Sequence, residues 1–143
     1  MPVAEVLWID SDILLDHLSQ RTPWQAFAQQ LLLSAATGEV ALWVSPLIVA
    51  NVFYVQRKLD GSAETLSKLK ALLQILNIAG MGSREVLAAL DSNRPDFEDA
   101  VQIATAETVP DLSAIITRNT GDYVSSGIPI KTAEAWLADH RSR

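Results

Sequence analysis

Residues 6–18 read VLWIDSDILLDHL, and the change of pattern inside this stretch decides the fold class. Val6 to Ile9 is a continuous apolar run, too short for a helix and suited to a strand buried on both faces. From Asp12 to Leu18 the spacing becomes helical, so a buried strand passes into a short helix with Asp10 at the junction.

The same alternation recurs along the chain. Val40–Val44 reads as a second buried strand, and Ser45-Pro46 opens a helix through about Leu59. Ile75–Ala79, Ala114–Thr117 and a short Ile128–Lys131 read as further strands. Between them, Thr22-Pro23-Trp24-Gln25 has the form of a capping box with proline at the first helical position. Apolar residues follow at Trp24, Phe27, Ala28, Leu31 and Ala35, and Gly38 ends that helix. Ser62 is expected to cap a helix with Leu66, Leu69, Leu73 and Leu76 on one stripe. Helices are also expected over 83–90, 97–107 and after Thr132, the last carrying Trp136 and Leu137. In the 97–107 helix the expected core stripe is Phe97, Ala100, Val101 and Ala104. Buried strands alternating with amphipathic helices imply an α/β fold: a single domain over 1–143, three-layered, with a mostly parallel sheet of four to five strands flanked by helices.

Composition narrows the function classes. The chain has 143 residues, 49% of them hydrophobic, which is enough for one core. Without cysteine there are no disulfides and no thiolate metal site. The start, MPVAEVLW, lacks the charged and apolar regions of a secretory signal, and LIVANVFYV falls far short of the ~20 residues that span a bilayer. A soluble cytoplasmic protein with no membrane partner is expected. The net charge of −6 disfavours a broadly basic nucleic-acid surface. It leaves room for a local contact in which a divalent cation inverts the sign of the field.

Parallel sheets bind ligands beyond the carboxyl ends of their strands, which selects the residues to weigh. Asp10 ends the first strand; Asp12 sits in the first turn of the next helix, where capping alone would account for it. Asp16, a turn later, reads as a solvated or supporting acid. Asn51 is the conspicuous polar residue of LIVANVFYV, a poor helix former that needs partners if buried. In RPDFEDAVQIATAE, Asp96 and Asp99 resemble an acidic capping box, with Asp96 the better cap. After the fourth strand, TRNTGDY packs Thr117, Asn119 and Asp122 into a turn. Gathered at one sheet end, Asp10, Asp99 and Asp122 would repel one another and raise at least one pKa unless a cation neutralised them. Hard oxygen donors point to Mg²⁺ or Mn²⁺.

The order of these motifs resembles the PIN domain family over essentially the whole chain. WIDSDILLD matches its opening strand, acid and helix; DFEDAVQIATAE its acidic helix start; TRNTGDY its Thr-Arg-Asn turn ending in Asp-aromatic; and GIPIKTAEAWL its last strand and helix. The resemblance implies a Mg²⁺- or Mn²⁺-dependent ribonuclease, in many small bacterial members the toxin of a toxin–antitoxin pair. It implies Asp10, Asp99 and Asp122 as metal-binding catalytic acids, Asp12, Thr117 and Asn119 as supporting residues, a homodimer, and a small antitoxin partner. Asn51 stands where the family usually has a glutamate, so the site should hold metal less tightly, use another acid such as Asp96, or be inactive. Arg118, Arg57 and Lys58, with Lys68 and Lys70, are the cations available to an RNA backbone, set against the plain reading of a solvated face.

Two other enzyme classes share the strand-end acids. Haloacid-dehalogenase phosphatases need Thr or Val where Leu14 stands, and response-regulator receivers need an Asp where the chain reads NIAGMG. The remaining alternative is a catalytically weak PIN-like module that binds RNA or an antitoxin, motivated by Asn51. His17 and His140 read as surface or helix-end residues.

Overall fold

The computed structural model describes residues 4–141; Met1 to Val3, where the segment MPVAEVLW begins, lie outside the described residues. The apolar runs form strands β1 (Glu5–Ile9), β2 (Val40–Val44), β3 (Leu76–Ile78), β4 (Leu112–Ile116) and β5 (Ile130–Lys131). They make one sheet in the order β3-β2-β1-β4-β5, with every pairing parallel. The helices between and after them are α1 (Ser11–Leu18), α2 (Gln25–Ala36), α3 (Pro46–Asp60), α4 (Ser62–Leu72), α5 (Ser83–Asp91), α6 (Phe97–Ala106) and α7 (Ala133–Arg141).

Central position explains the unbroken apolar character of β1. Leu7, Trp8 and Ile9 are fully buried, because a parallel strand covered on both faces has no solvent side. Around them pack Leu31 of α2, Ile48 and Val52 of α3, Ile103 and Ala106 of α6, and Trp136 of α7. The register pairs Trp8 with Trp43 and Ile9 with Ile116, so β1, β2 and β4 end nearly level. Residues just past those ends, Asp10, Ser45 and Thr117, are thereby collected at one edge of the sheet.

Three local expectations are revised by packing. The capping box at Thr22 does not form: α2 starts at Gln25 with Trp24 at its N-cap and no side-chain cap. Trp24 is drawn instead beneath the Arg118 guanidinium, 4.0 Å from the ring centroid. In α4 the inward stripe is Thr65, Leu69 and Leu72, while Leu66 is 51% exposed. Both stripes satisfy a helical period, and the Thr65 hydroxyl, donating to the Gly61 carbonyl at 2.7 Å, accompanies the one that packs. On α6, Phe97 is exposed, because the helix buries Ile103 and Ala106 in the main core and Ala100 and Val101 in a smaller cluster with Ala89.

Leu42→Ala, at a fully buried position of β2, should lower the unfolding free energy by about 2–5 kcal/mol. Leu59→Ala, at a residue 70% exposed, should change it by less than about 0.5 kcal/mol; chemical denaturation of both variants measures the difference.

Candidate active site

The end of β1 is tied to the end of β4 by a small buried polar knot. The Asp10 N–H donates to the Ile116 carbonyl at 3.1 Å, carrying the ladder one residue past the strands. Asp10 then caps α1, its Oδ1 accepting from the Ser11 N–H at 2.8 Å. Its Oδ2 lies 3.2 Å from the Thr117 hydroxyl, which also lies 3.1 Å from Asp12 Oδ2 and accepts from the Asn119 N–H at 3.0 Å. A hydroxyl carries one proton, so it cannot fully serve two ionised carboxylates at once. The Arg118 N–H donates to Asp12 Oδ2 at 2.8 Å, whereas Asp12 Oδ1 is buried without a hydrogen-bond partner.

Burial raises the Asp10 carboxyl pKa, outweighing its hydrogen bonds from the Ser11 N–H and the Thr117 hydroxyl. Burial, followed by the neighbouring Asp10 charge, raises that of Asp12. The pKa of the buried Tyr123 hydroxyl is pushed well above its ordinary range by burial and then by the Asp10 charge. It therefore stays neutral.

The second arm comes from α6. Asp96 is its N-cap, Oδ1 accepting from the Asp99 N–H at 3.0 Å, as the capping-box reading anticipates. The Asp99 carboxyl is raised to about 6, by burial first and then by the charges of Asp122, Asp96, Asp10 and Glu98. Asp122 is exposed in the first turn of a 3₁₀ segment, Thr120–Ser126, its N–H donating to the Asn119 carbonyl at 3.0 Å. Asp10, Asp99 and Asp122 thus stand within one another's fields although they come from distant parts of the chain. A surface cleft of about 280 Å³ opens here, lined by Asp96, Asp99, Asp122 and Arg94 among others.

Asn51 reaches the α6 acids from α3. Its Nδ2 donates to Glu98 Oε1 at 2.7 Å. Deeper in the same seam the buried Ser45 hydroxyl caps α3, accepting from the Ile48 N–H at 3.0 Å, and donates to Gln102 Oε1 at 2.7 Å.

The candidate cations are less uniform than a solvated face. Arg118 holds Asp16 in a two-point ion pair at 2.8 and 2.9 Å, and Asp16 is only 1% exposed. The solvated reading of Asp16 is thereby corrected: it shares the helix face of Asp12 one turn on, and a side chain far along the sequence neutralises it. Arg57 and Lys58 are exposed at the end of α3, Arg57 over the Tyr54 ring at 4.9 Å. Lys68 pairs with Asp60 at 2.7 Å and Glu64 at 3.6 Å, and Lys70 is exposed. His140 lies in the last turn of α7, stacked on Trp136, and His17 in the last turn of α1.

Sequence reasoning passed over Tyr123 and Glu98. An aromatic directly after Asp122 was the available signal for the first. The second stands inside the DFEDAVQIATAE motif, but its partner lies on another helix.

The donor set fits a hard divalent cation: carboxylate oxygens, mutual repulsion among acids, and a buried Asp12 oxygen lacking a donor. Among the described residues no three acids or histidines stand close enough together to hold a metal ion by themselves. A hydrated ion that keeps several waters, through which the surrounding carboxylates act on it, is the arrangement such a set can support.

With that geometry in view, comparison with known proteins identifies the class. The PIN domain family matches residues 6–121, and the chain belongs to that family. Among solved structures, it is similar to a toxin–antitoxin complex from Klebsiella pneumoniae, at 24% identity and TM-score 0.64 over 89% of this chain and 97% of that one. It is also similar to the sarcin-ricin-loop-cleaving toxin VapC20 of Mycobacterium tuberculosis, at 12% identity and TM-score 0.64 over 85% and 95% of the two chains. A DNA-bound VapBC from Salmonella typhimurium matches at 11% identity and TM-score 0.66 over 90% and 98%. These likenesses establish the shared fold. Curated protein sequences gave no match.

Asp99 holds its proton more tightly folded than unfolded, its pKa rising from 3.8 to about 6. The metal-free protein should therefore lose stability as pH rises across that interval, and Asp99→Asn should flatten the loss. Denaturation in chelator at several pH values tests this; stability that rises through the interval would contradict it. Arg118→Ala should cost about 3–5 kcal/mol by leaving Asp16 buried and unpaired, measured by thermal or chemical unfolding.

Proposed function

We propose that this chain is a divalent-metal-dependent endoribonuclease that hydrolyses phosphodiester bonds of single-stranded RNA, as the toxin of a toxin–antitoxin pair. The observation that carries the reading is the cleft lined by Asp99 and Asp122, acids from separate segments, with the Asp10 charge reaching Asp99 from the end of β1. Family membership and solved neighbours that include toxin–antitoxin complexes add support.

In this reading Asp10, Asp99 and Asp122 hold Mg²⁺ or Mn²⁺. When bound, the ion neutralises charge at the scissile phosphate and supplies an activated water. Asp10 is kept in place by the Ser11 N–H and the Thr117 hydroxyl. Asp12, Thr117 and Asn119 form the support beneath it, and Asp96 fixes the start of α6 that carries Asp99. Arg57 and Lys58 offer exposed positive charge to RNA phosphates. Arg118 anchors the turn after β4, through its backbone to Asp12 and its guanidinium to Asp16. Its charge is shared with a protein acid in any contact it makes with RNA.

The protein would work in the cytoplasm, as a homodimer held in check by a small antitoxin. No helix among the described residues is long and apolar enough to cross a membrane.

The second reading is a PIN-like binding module without efficient catalysis. It is favoured by the neutral Asn51 on the α3 side of the acids. A single-stranded RNA panel incubated with Mn²⁺ separates the two. The nuclease reading expects metal-dependent cleavage that falls by at least about 100-fold in Asp10→Asn and Asp99→Asn. Absence of cleavage by folded, purified protein at saturating Mn²⁺ would leave the module.

A further inference from the structure

Trp24 is a large aromatic side chain in an unusual place. Trp8 and Trp136 are buried and Trp43 is half-buried, but Trp24 is 41% exposed, at an N-cap position where it makes no side-chain cap. The Arg118 guanidinium lies over its ring at 4.0 Å, and Asp16 holds that guanidinium at 2.8 and 2.9 Å. The two-point ion pair fixes the plane of Arg118, so ring and guanidinium form a set stack rather than two mobile surface groups.

Shielding the ion pair would call for a closed cover. Instead a cavity of about 270 Å³ opens beside the stack, lined by Trp24, Phe27, Asp16, Arg118 and Glu134 among others. Its charges suit a neutral occupant. Arg118 is already neutralised by Asp16, and Glu134 is an exposed carboxylate with no hydrogen bond or ion pair among the described residues. A phosphate group entering the cavity would meet the Glu134 charge.

Arg118 also joins this cavity to the acids at the sheet end. Its N–H donates to Asp12 Oδ2 at 2.8 Å, and the hydroxyl of the preceding Thr117 lies 3.2 Å from Asp10 Oδ2. One residue thus borders both the acids and the cavity.

We propose that this cavity is a subsite for one unpaired RNA base, stacked against Trp24 and Arg118, with the Glu134 carboxylate reading its edge. Aromatic rings and arginine planes are the surfaces on which single-stranded bases stack. A carboxylate accepts hydrogen bonds and donates none, so it favours a base with adjacent donors. Guanine presents two, N1–H and its exocyclic amine. Adenine and cytosine present an amine next to an acceptor, and uracil a lone N–H between two acceptors. Guanine is therefore the base the subsite takes best. The inference rests on the RNA-directed reading given above and adds to it a place for the base.

Binding of fluorescent uridine hexamers, plain or with one central guanosine, adenosine or cytidine, tests this in EDTA, which holds back metal-dependent cleavage. The unaltered protein should bind the guanosine hexamer about tenfold more tightly than the plain one, and Trp24→Ala should remove about tenfold or more of that binding. Trp24→Tyr should retain most of it, and Glu134→Gln should remove most of the guanosine advantage. Circular dichroism confirms folding of each variant. Equal binding of all four hexamers by the unaltered protein would overturn the guanine assignment. If Trp24→Ala binds the guanosine hexamer as the unaltered protein does while Mn²⁺-dependent cleavage persists, the base subsite is overturned, the ribonuclease reading stands, and the cavity is left to a side chain of a partner protein. If the unaltered protein binds none of the hexamers, RNA as the ligand falls and the inference with it.

Discussion

Parallel pairing of β1 with β4 is the constraint on which the site depends. Because Ile9 lies opposite Ile116, the next residue of each strand emerges at the same level, and the Asp10 N–H still reaches the Ile116 carbonyl. Thr117 is thereby set between Asp10 and Asp12, and the turn that follows delivers Asp122 and Tyr123. A slip of one residue in this register would send each side chain to the opposite face of the sheet. The core residues Leu7, Trp8, Ile9, Ile115 and Ile116, all fully buried, hold the register in place. The energetic weight of the fold and the geometry of the acids therefore come from the same pair of strands.

Charge compensation separates the acids better than position does. Asp16 is the most buried of the aspartates named here, yet Arg118 neutralises it through two hydrogen bonds, and its role is structural. Asp60 is held by Lys68 and Gln56. The carboxyl pKa values of Asp10, Asp12 and Asp99 are instead raised by burial and by neighbouring acids. Carboxylates gathered without cations cost stability in the folded protein. Such local cost is expected where a site is kept ready for a ligand rather than optimised for folding.

How much was legible in the sequence follows from which forces were local. The strands, the α/β class and the caps at Ser45, Asp96 and Thr132 depend on short-range pattern and form, whereas the expected Ser62 cap does not: α4 has Gly61 at its N-cap and no side-chain cap. The start of α2 was misplaced because a tertiary contact, Trp24 with Arg118, overrides the capping motif around Thr22. The stripe of α4 was turned because Thr65 packs inward while Leu66 does not. Asp16 looked solvated because its partner lies about a hundred residues away, in the turn after β4. Asn51 stood out in the sequence as an oddity, but its partner Glu98 could be found only once α3 and α6 were placed in space.

The most direct measurement is a crystal structure of the protein soaked in Mn²⁺, with the ion located by anomalous scattering. The expected result is Mn²⁺ bound among Asp10, Asp99 and Asp122 with waters completing its coordination. Saturating Mn²⁺ that binds elsewhere on the molecule, or leaves no ordered ion near these acids, would contradict it.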